Sequence, residues 1–129
     1  MKHRELDAVL IAIVLLVLIA MINLTARAAE PDATAGKLLF GKRCSGCHAL
    51  NSDKEGPRLR GVLGRKAGSV ASFQYSDALR NSRIVWDEAL LDKWLENTRA
   101  VVEDNDMEFR VADPEERRAL VAFLKSVAK

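Results

Sequence analysis

Five consecutive residues hold most of the chemical potential of this 129-residue chain: Cys44-Ser45-Gly46-Cys47-His48. The two cysteines are the whole cysteine complement. At a helix end or tight turn, thiols at this spacing lie beside one porphyrin edge and add across its two vinyl groups as thioethers. The adjacent imidazole then falls under the iron as proximal ligand. Three other chemistries use paired cysteines. A zinc site needs four ligands, and past the N-terminal segment no further Cys or His exists to complete the set. A thioredoxin-type dithiol belongs near a βαβ pattern, which is absent. A disulfide between residues three apart closes a very small loop and stabilises little. The motif reads as the attachment site of one covalent haem c.

Iron in an electron carrier should hold two axial ligands, so that little rearranges when the electron arrives. His48 is the only histidine beyond the first 28 residues, an apolar N-terminal segment, which removes a bis-histidine pair. Of the methionines at 1, 21 and 107, only Met107 lies beyond that segment. It sits in the polar stretch Val102-Glu103-Asp104-Asn105-Asp106-Met107-Glu108-Phe109, an odd place for a methionine that merely fills a core. A thioether there would complete a His/Met pair and raise the reduction potential. A lysine or an open iron position is the alternative.

These residues need elements to hold them. Asp32 can cap a helix starting near Ala33 that runs into the cysteine motif. Residues 51–72 contain Gly56, Gly61, Gly64, Gly68 and Pro57 without sustained periodicity, which is loop composition. Leu90, Leu91, Trp94 and Leu95 recur at helical spacing and predict a helix over Asp87–Thr98. Asp113-Pro114-Glu115-Glu116 predicts a capped terminal helix, with Glu116 closing a capping box and Leu120, Val121, Phe123 and Leu124 as its apolar stripe. Lys125 and Lys129 suit its C-terminal end. No strand pair or repeat is visible. Long loops in a small domain usually wrap around something. Aromatic content is 5%, so a bound macrocycle would help fill the core.

The N-terminus is of another kind. A basic start (Lys2, His3, Arg4) precedes 15 uninterrupted apolar residues, Ala8–Ile22, and Ala26-Arg27-Ala28 has the small-x-small form cut by signal peptidase. Residues 1–28 are thus a signal peptide or an N-terminal membrane anchor, and 29–129 the functional domain. Either outcome places that domain outside the cytoplasm, soluble or tethered through residues 8–26. Past Ala28 the charges nearly cancel, with 17 Lys and Arg against 16 Asp and Glu; a nucleic-acid binder would be far more basic.

From about Gly36 to Lys125 the chain resembles the class I cytochrome c family, its mitochondrial and bacterial short-chain members in particular. Gly36 and Phe40 resemble the N-terminal helix positions that cross the C-terminal helix at Leu120, Phe123 and Leu124. Gly56-Pro57-x-Leu59-x-Gly61-x-x-Gly64-Arg65-Lys66-x-Gly68 matches the loop on the histidine side, and Phe73-x-Tyr75-Ser76-Asp77-Ala78 and Ile84-x-Trp86 match as well. The resemblance implies an all-α cytochrome c fold, three to five helices and long loops around one covalently bound haem. It implies that the Pro57 carbonyl accepts the His48 ring N–H, and that Arg65, Tyr75 and Trp86 donate to a haem propionate. Two departures stand out. Glu103-Asp104 replaces the family's Pro-Gly before the ligand methionine, which predicts a less preorganised loop. Trp94 replaces a tyrosine near the ligand sulfur.

A monomeric one-electron carrier, not an enzyme, is the expected function. Its expected partners are redox proteins such as a bc complex, a terminal oxidase or a periplasmic reductase. A haem enzyme or gas sensor with an open sixth position is the alternative. Glu103, Asp104, Asp106 and Glu108 crowd the Met107 stretch, while Lys37, Lys42, Arg43, Arg58, Arg60, Arg65 and Lys66 gather on the histidine side. That distribution predicts a lopsided dipole.

Overall fold

A computed structural model describes residues 2–25 and 32–128. The cleavage site expected at Ala26-Arg27-Ala28, the side chains of Lys2, His3 and Arg4, and Lys129 lie outside the described residues. The chain divides into two compact units, Met1–Glu30 and Pro31–Lys129.

The first unit contains α1 (Lys2–Thr25). Its side chains from Val9 to Met21 are apolar and exposed all round, so this stretch of the helix has no wet face. Among the described residues no helix is long and apolar enough to cross a membrane.

The second unit holds α2 (Ala33–Arg43), α3 (Asp77–Asn81), α4 (Glu88–Glu96), α5 (Thr98–Val101) and α6 (Pro114–Ser126). Each begins on a side-chain cap. Asp32 accepts from the Thr34 N–H at 2.8 Å, Asp87 from Leu90 at 2.7 Å and Asp113 from Glu115 at 2.8 Å. Such caps satisfy amide donors that a first helical turn leaves free, each contributing about 1 kcal/mol. The expected capping box does not close. Glu116 instead reaches across to Arg43 at 2.8 Å and ties α6 to the end of α2.

The helix expected over Asp87–Thr98 is two elements. Asn97 terminates α4 in extended backbone and then caps α5 with its own side chain. Periodicity alone could not show this, because Asn is compatible with a helix yet competes for backbone groups. The described residues form no strand; a single antiparallel bridge joins Lys66 to Val85. Around it, Gly64 N–H donates to the Trp86 carbonyl at 2.7 Å, and Trp86 N–H to the Arg65 carbonyl at 3.0 Å. This pairing fixes Trp86 against the glycine-rich loop.

The core is the crossing of α2 and α6, with α4 packed against α6. Gly36 makes the close approach possible: a Cβ there would lie 1.9 Å from the Ala119 carbonyl oxygen. One turn on, the rings of Phe40 and Phe123 meet at 5.4 Å. Arg117 joins α6 to α4 from the inside. Its guanidinium donates to Asp92 at 3.0 Å and to the carbonyls of Val111 (2.9 Å) and Ala112 (3.0 Å). A buried cation is tolerable only when its donors are met in this way.

Candidate haem site

The cysteine motif leaves α2 through a tight turn. Cys44 and Ser45 N–H both donate to the Phe40 carbonyl, and His48 N–H donates back to Cys44 at 2.8 Å. This turn brings Cys44, Cys47 and His48 to the wall of one cavity of about 700 Å³. That volume lies within the roughly 300–1,000 Å³ of clefts that enclose a ligand. Apolar side chains from every part of the unit face it, among them Phe40, Leu59, Leu91, Leu95 and Leu120. Burial pushes the half-buried Cys44 thiol up to about 11, so it stays neutral.

His48 is held from two sides. Its Nδ1 lies 2.8 Å from the Pro57 carbonyl oxygen. A carbonyl can only accept, so Nδ1 carries the proton and Nε2 keeps its lone pair. Gly56 lies against the ring, and a Cβ there would fall 2.2 Å from Cε1. Burial lowers the His48 pKa, partly opposed by the Pro57 contact. The result is a neutral imidazole whose orientation is set by the chain, the form in which histidine binds a metal.

Met107 lines the same cavity, from the loop between α5 and α6. Met107 is tied into its loop through its own backbone. The Met107 N–H donates to Asn105 Oδ1 at 2.8 Å, and its carbonyl accepts from the Thr98 hydroxyl at 2.6 Å. Sequence reading missed both residues, although an Asx residue two positions before the methionine was a signal for such a turn.

Arg65, Tyr75 and Trp86 all face the cavity. Arg65 is anchored to the chain itself, donating to the carbonyls of Arg58 at 2.7 Å and Arg60 at 3.3 Å. Burial raises the Tyr75 pKa, with the Val70 backbone and Arg65 acting against it. Its ring meets Phe73 edge-on at 4.8 Å. Trp86 packs edge-on against Trp94 at 5.2 Å, and both indoles are buried. Trp94 also lines the cavity.

Charge around the cavity is less simple than the residue count suggests. Arg43, Arg58, Arg60 and Arg65 are engaged with Glu116, Asp53, Asn51 and backbone carbonyls. On the methionine side Glu108 pairs with Arg99, and Asp106 and Glu108 reach the cavity wall.

The donor set fits a covalently held haem: two thiols, an oriented neutral imidazole, a thioether and an apolar wall. Comparison with known proteins agrees. The cytochrome c family model matches residues 33–128. Cytochrome c2 of Rhodomicrobium vannielii is 43% identical over 100 residues, covering 74% of this chain and 79% of that protein. Cytochrome c of Arabidopsis thaliana is 38% identical over 104 residues, covering 78% and 93%. The structure of cytochrome cH from Methylobacterium extorquens superposes with a TM-score of 0.70 at 37% identity, covering 74% of this chain and 98% of that one. The chain belongs to the cytochrome c family: it is a class I c-type cytochrome, an electron-transfer protein rather than an enzyme, whose cofactor is one covalent haem c, with Cys44 and Cys47 in the motif arrangement that fits it.

Proposed function

We propose that the chain is an exported single-haem electron carrier of the bacterial periplasm, in which His48 and Met107 are the axial ligands of the iron. The observation that carries this reading is the His48 geometry: with Nδ1 committed to Pro57, Nε2 is the remaining donor. The bound haem supplies the one-electron ferric/ferrous couple. Pro57 fixes the tautomer of His48 and increases its basicity. Arg65, Tyr75 and Trp86 are the proposed donors to the propionates, which need such partners when buried. Apolar wall residues exclude water, and a thioether at the sixth position favours the reduced state.

The segment from Ala8 to Ala26 directs export, with cleavage before Ala29 releasing the domain and retention holding it at the membrane. Redox proteins such as a bc complex, a terminal oxidase or a periplasmic reductase are the proposed partners. Such encounters are small and transient, and charge complementarity mainly speeds and orients them. Intact mass of the exported protein is the test. It should show one haem added to a chain that begins at Ala29 or at Met1, and a potentiometric titration should follow a single one-electron step. A haem-free mass overturns the reading.

A further inference from the structure

A sixth ligand carried on a loop is only as firm as the loop. Four acidic residues lie within six positions here, Glu103, Asp104, Asp106 and Glu108; Glu108 pairs with Arg99, and repulsion among the other three favours an open loop. Asn105 lies in the middle of them with only 5% of its surface exposed. Its carboxamide works in both directions. Nδ2 donates to the Val102 carbonyl at 2.6 Å, while Oδ1 accepts from the Met107 N–H at 2.8 Å. Thr98, 2% exposed, comes from α5 and donates its hydroxyl to the Met107 carbonyl at 2.6 Å. Both backbone polar groups of Met107 are thus held by buried side chains of two other residues. Its sulfur-bearing side chain is left to the cavity.

We propose that Asn105 and Thr98 form a latch that positions Met107, replacing the preorganisation lost with the Pro-Gly turn and setting how readily an external ligand displaces the thioether. The inference rests on the reading of Met107 as axial ligand. Chemistry explains why these two types are used. Asparagine alone offers a donor and an acceptor on one short planar group; aspartate at this position would turn an acceptor towards the Val102 carbonyl. Valine in place of Thr98 keeps the shape and removes the donor. Either change leaves a buried backbone group without its partner, and such groups are expensive to leave unmade. The closed loop then loses stability relative to the open one, while the haem motif itself is untouched.

The test uses the ferric holoprotein titrated with imidazole, which binds only where the thioether has left. Thr98→Val and Asn105→Ala should each raise imidazole affinity about tenfold. Thr98→Ser should restore the wild-type value. In native-state hydrogen exchange, the Met107 amide should lose protection in Asn105→Ala while α2 and α6 amides keep theirs. If both variants lower the global unfolding midpoint but leave imidazole affinity unchanged, the residues are merely structural and the latch is wrong. If wild-type protein lacks the long-wavelength sulfur–iron band in its ferric spectrum, the axial reading beneath the latch is overturned instead.

Discussion

Replacing Gly36 by alanine puts the helix crossing under direct load. The new Cβ would sit 1.9 Å from the Ala119 carbonyl oxygen, 2.6 Å from its carbon and 2.8 Å from Phe123 Cβ. Two of these atoms are backbone of α6, so no rotamer change relieves the clash. Ordinary contact begins near 3.4 Å, so the carbonyl must retreat by about 1.5 Å. That shift opens the Phe40–Phe123 contact beside it. Overpacking of this kind costs about 1–3 kcal/mol or more, whereas alanine's better helix propensity returns about 1 kcal/mol. Because the clash is with backbone, the upper end of that cost applies, and a net loss of about 2 kcal/mol is expected. Gly41 supplies the control on the same helix, because a Cβ there meets nothing within 4 Å. Gly41→Ala should stabilise by about 0.5–1 kcal/mol. Guanidinium unfolding of the two holoproteins, followed by tryptophan emission, separates them. Equal midpoints for the two variants would refute the close-crossing account.

Other outcomes follow from the site. Gly56→Ala should push the imidazole off its Pro57 contact, since the Cβ would fall 2.2 Å from Cε1; the fraction of exported protein carrying haem should fall, and unchanged loading would contradict the packing. Asp53 is held in its charged form by the Ser72 hydroxyl, the Arg58 N–H and the Arg58 guanidinium, which together lower its pKa below 3.8. Its contribution is therefore fully present above pH 3.8 and is lost as pH falls through the lower folded value. Acid unfolding should be less steep in Asp53→Asn, and identical slopes would remove Asp53 from the account. Reversing Glu103, Asp104 and Glu108 to lysine should alter the rate of electron transfer to the physiological partner and its dependence on salt; stopped-flow traces unchanged by ionic strength and by mutation would exclude this face from docking.

Much of the site was legible because its chemistry is local in sequence. Cys44, Cys47 and His48 lie within five residues, and Pro57 follows in the adjoining loop. The flanking helices announced themselves through capping residues and apolar spacing, as at Asp32 and Asp113. What stayed hidden depends on contacts between distant segments or on competition within a turn. The short helices α3 and α5 have too few residues to show a period. Arg117 reads as a surface charge on a helix face, and only the meeting of α4 and α6 with the Val111 carbonyl shows it to be buried. Glu116 matched a capping-box pattern, yet Arg43, brought close by the helix crossing, takes it instead. The Met107 loop shows the same limit. Losing Pro-Gly suggested slack, and nothing in the sequence alone showed that the Met107 N–H would donate to Asn105 or its carbonyl accept from Thr98.

The axial pair is tested most directly by the ferric spectrum of the purified exported protein beside that of Met107→Ala. The wild type should show the long-wavelength sulfur–iron band, and its ferrous form should resist carbon monoxide. The variant should lose the band and bind carbon monoxide readily. A wild type that lacks the band and takes up carbon monoxide as fast as the variant would contradict the account.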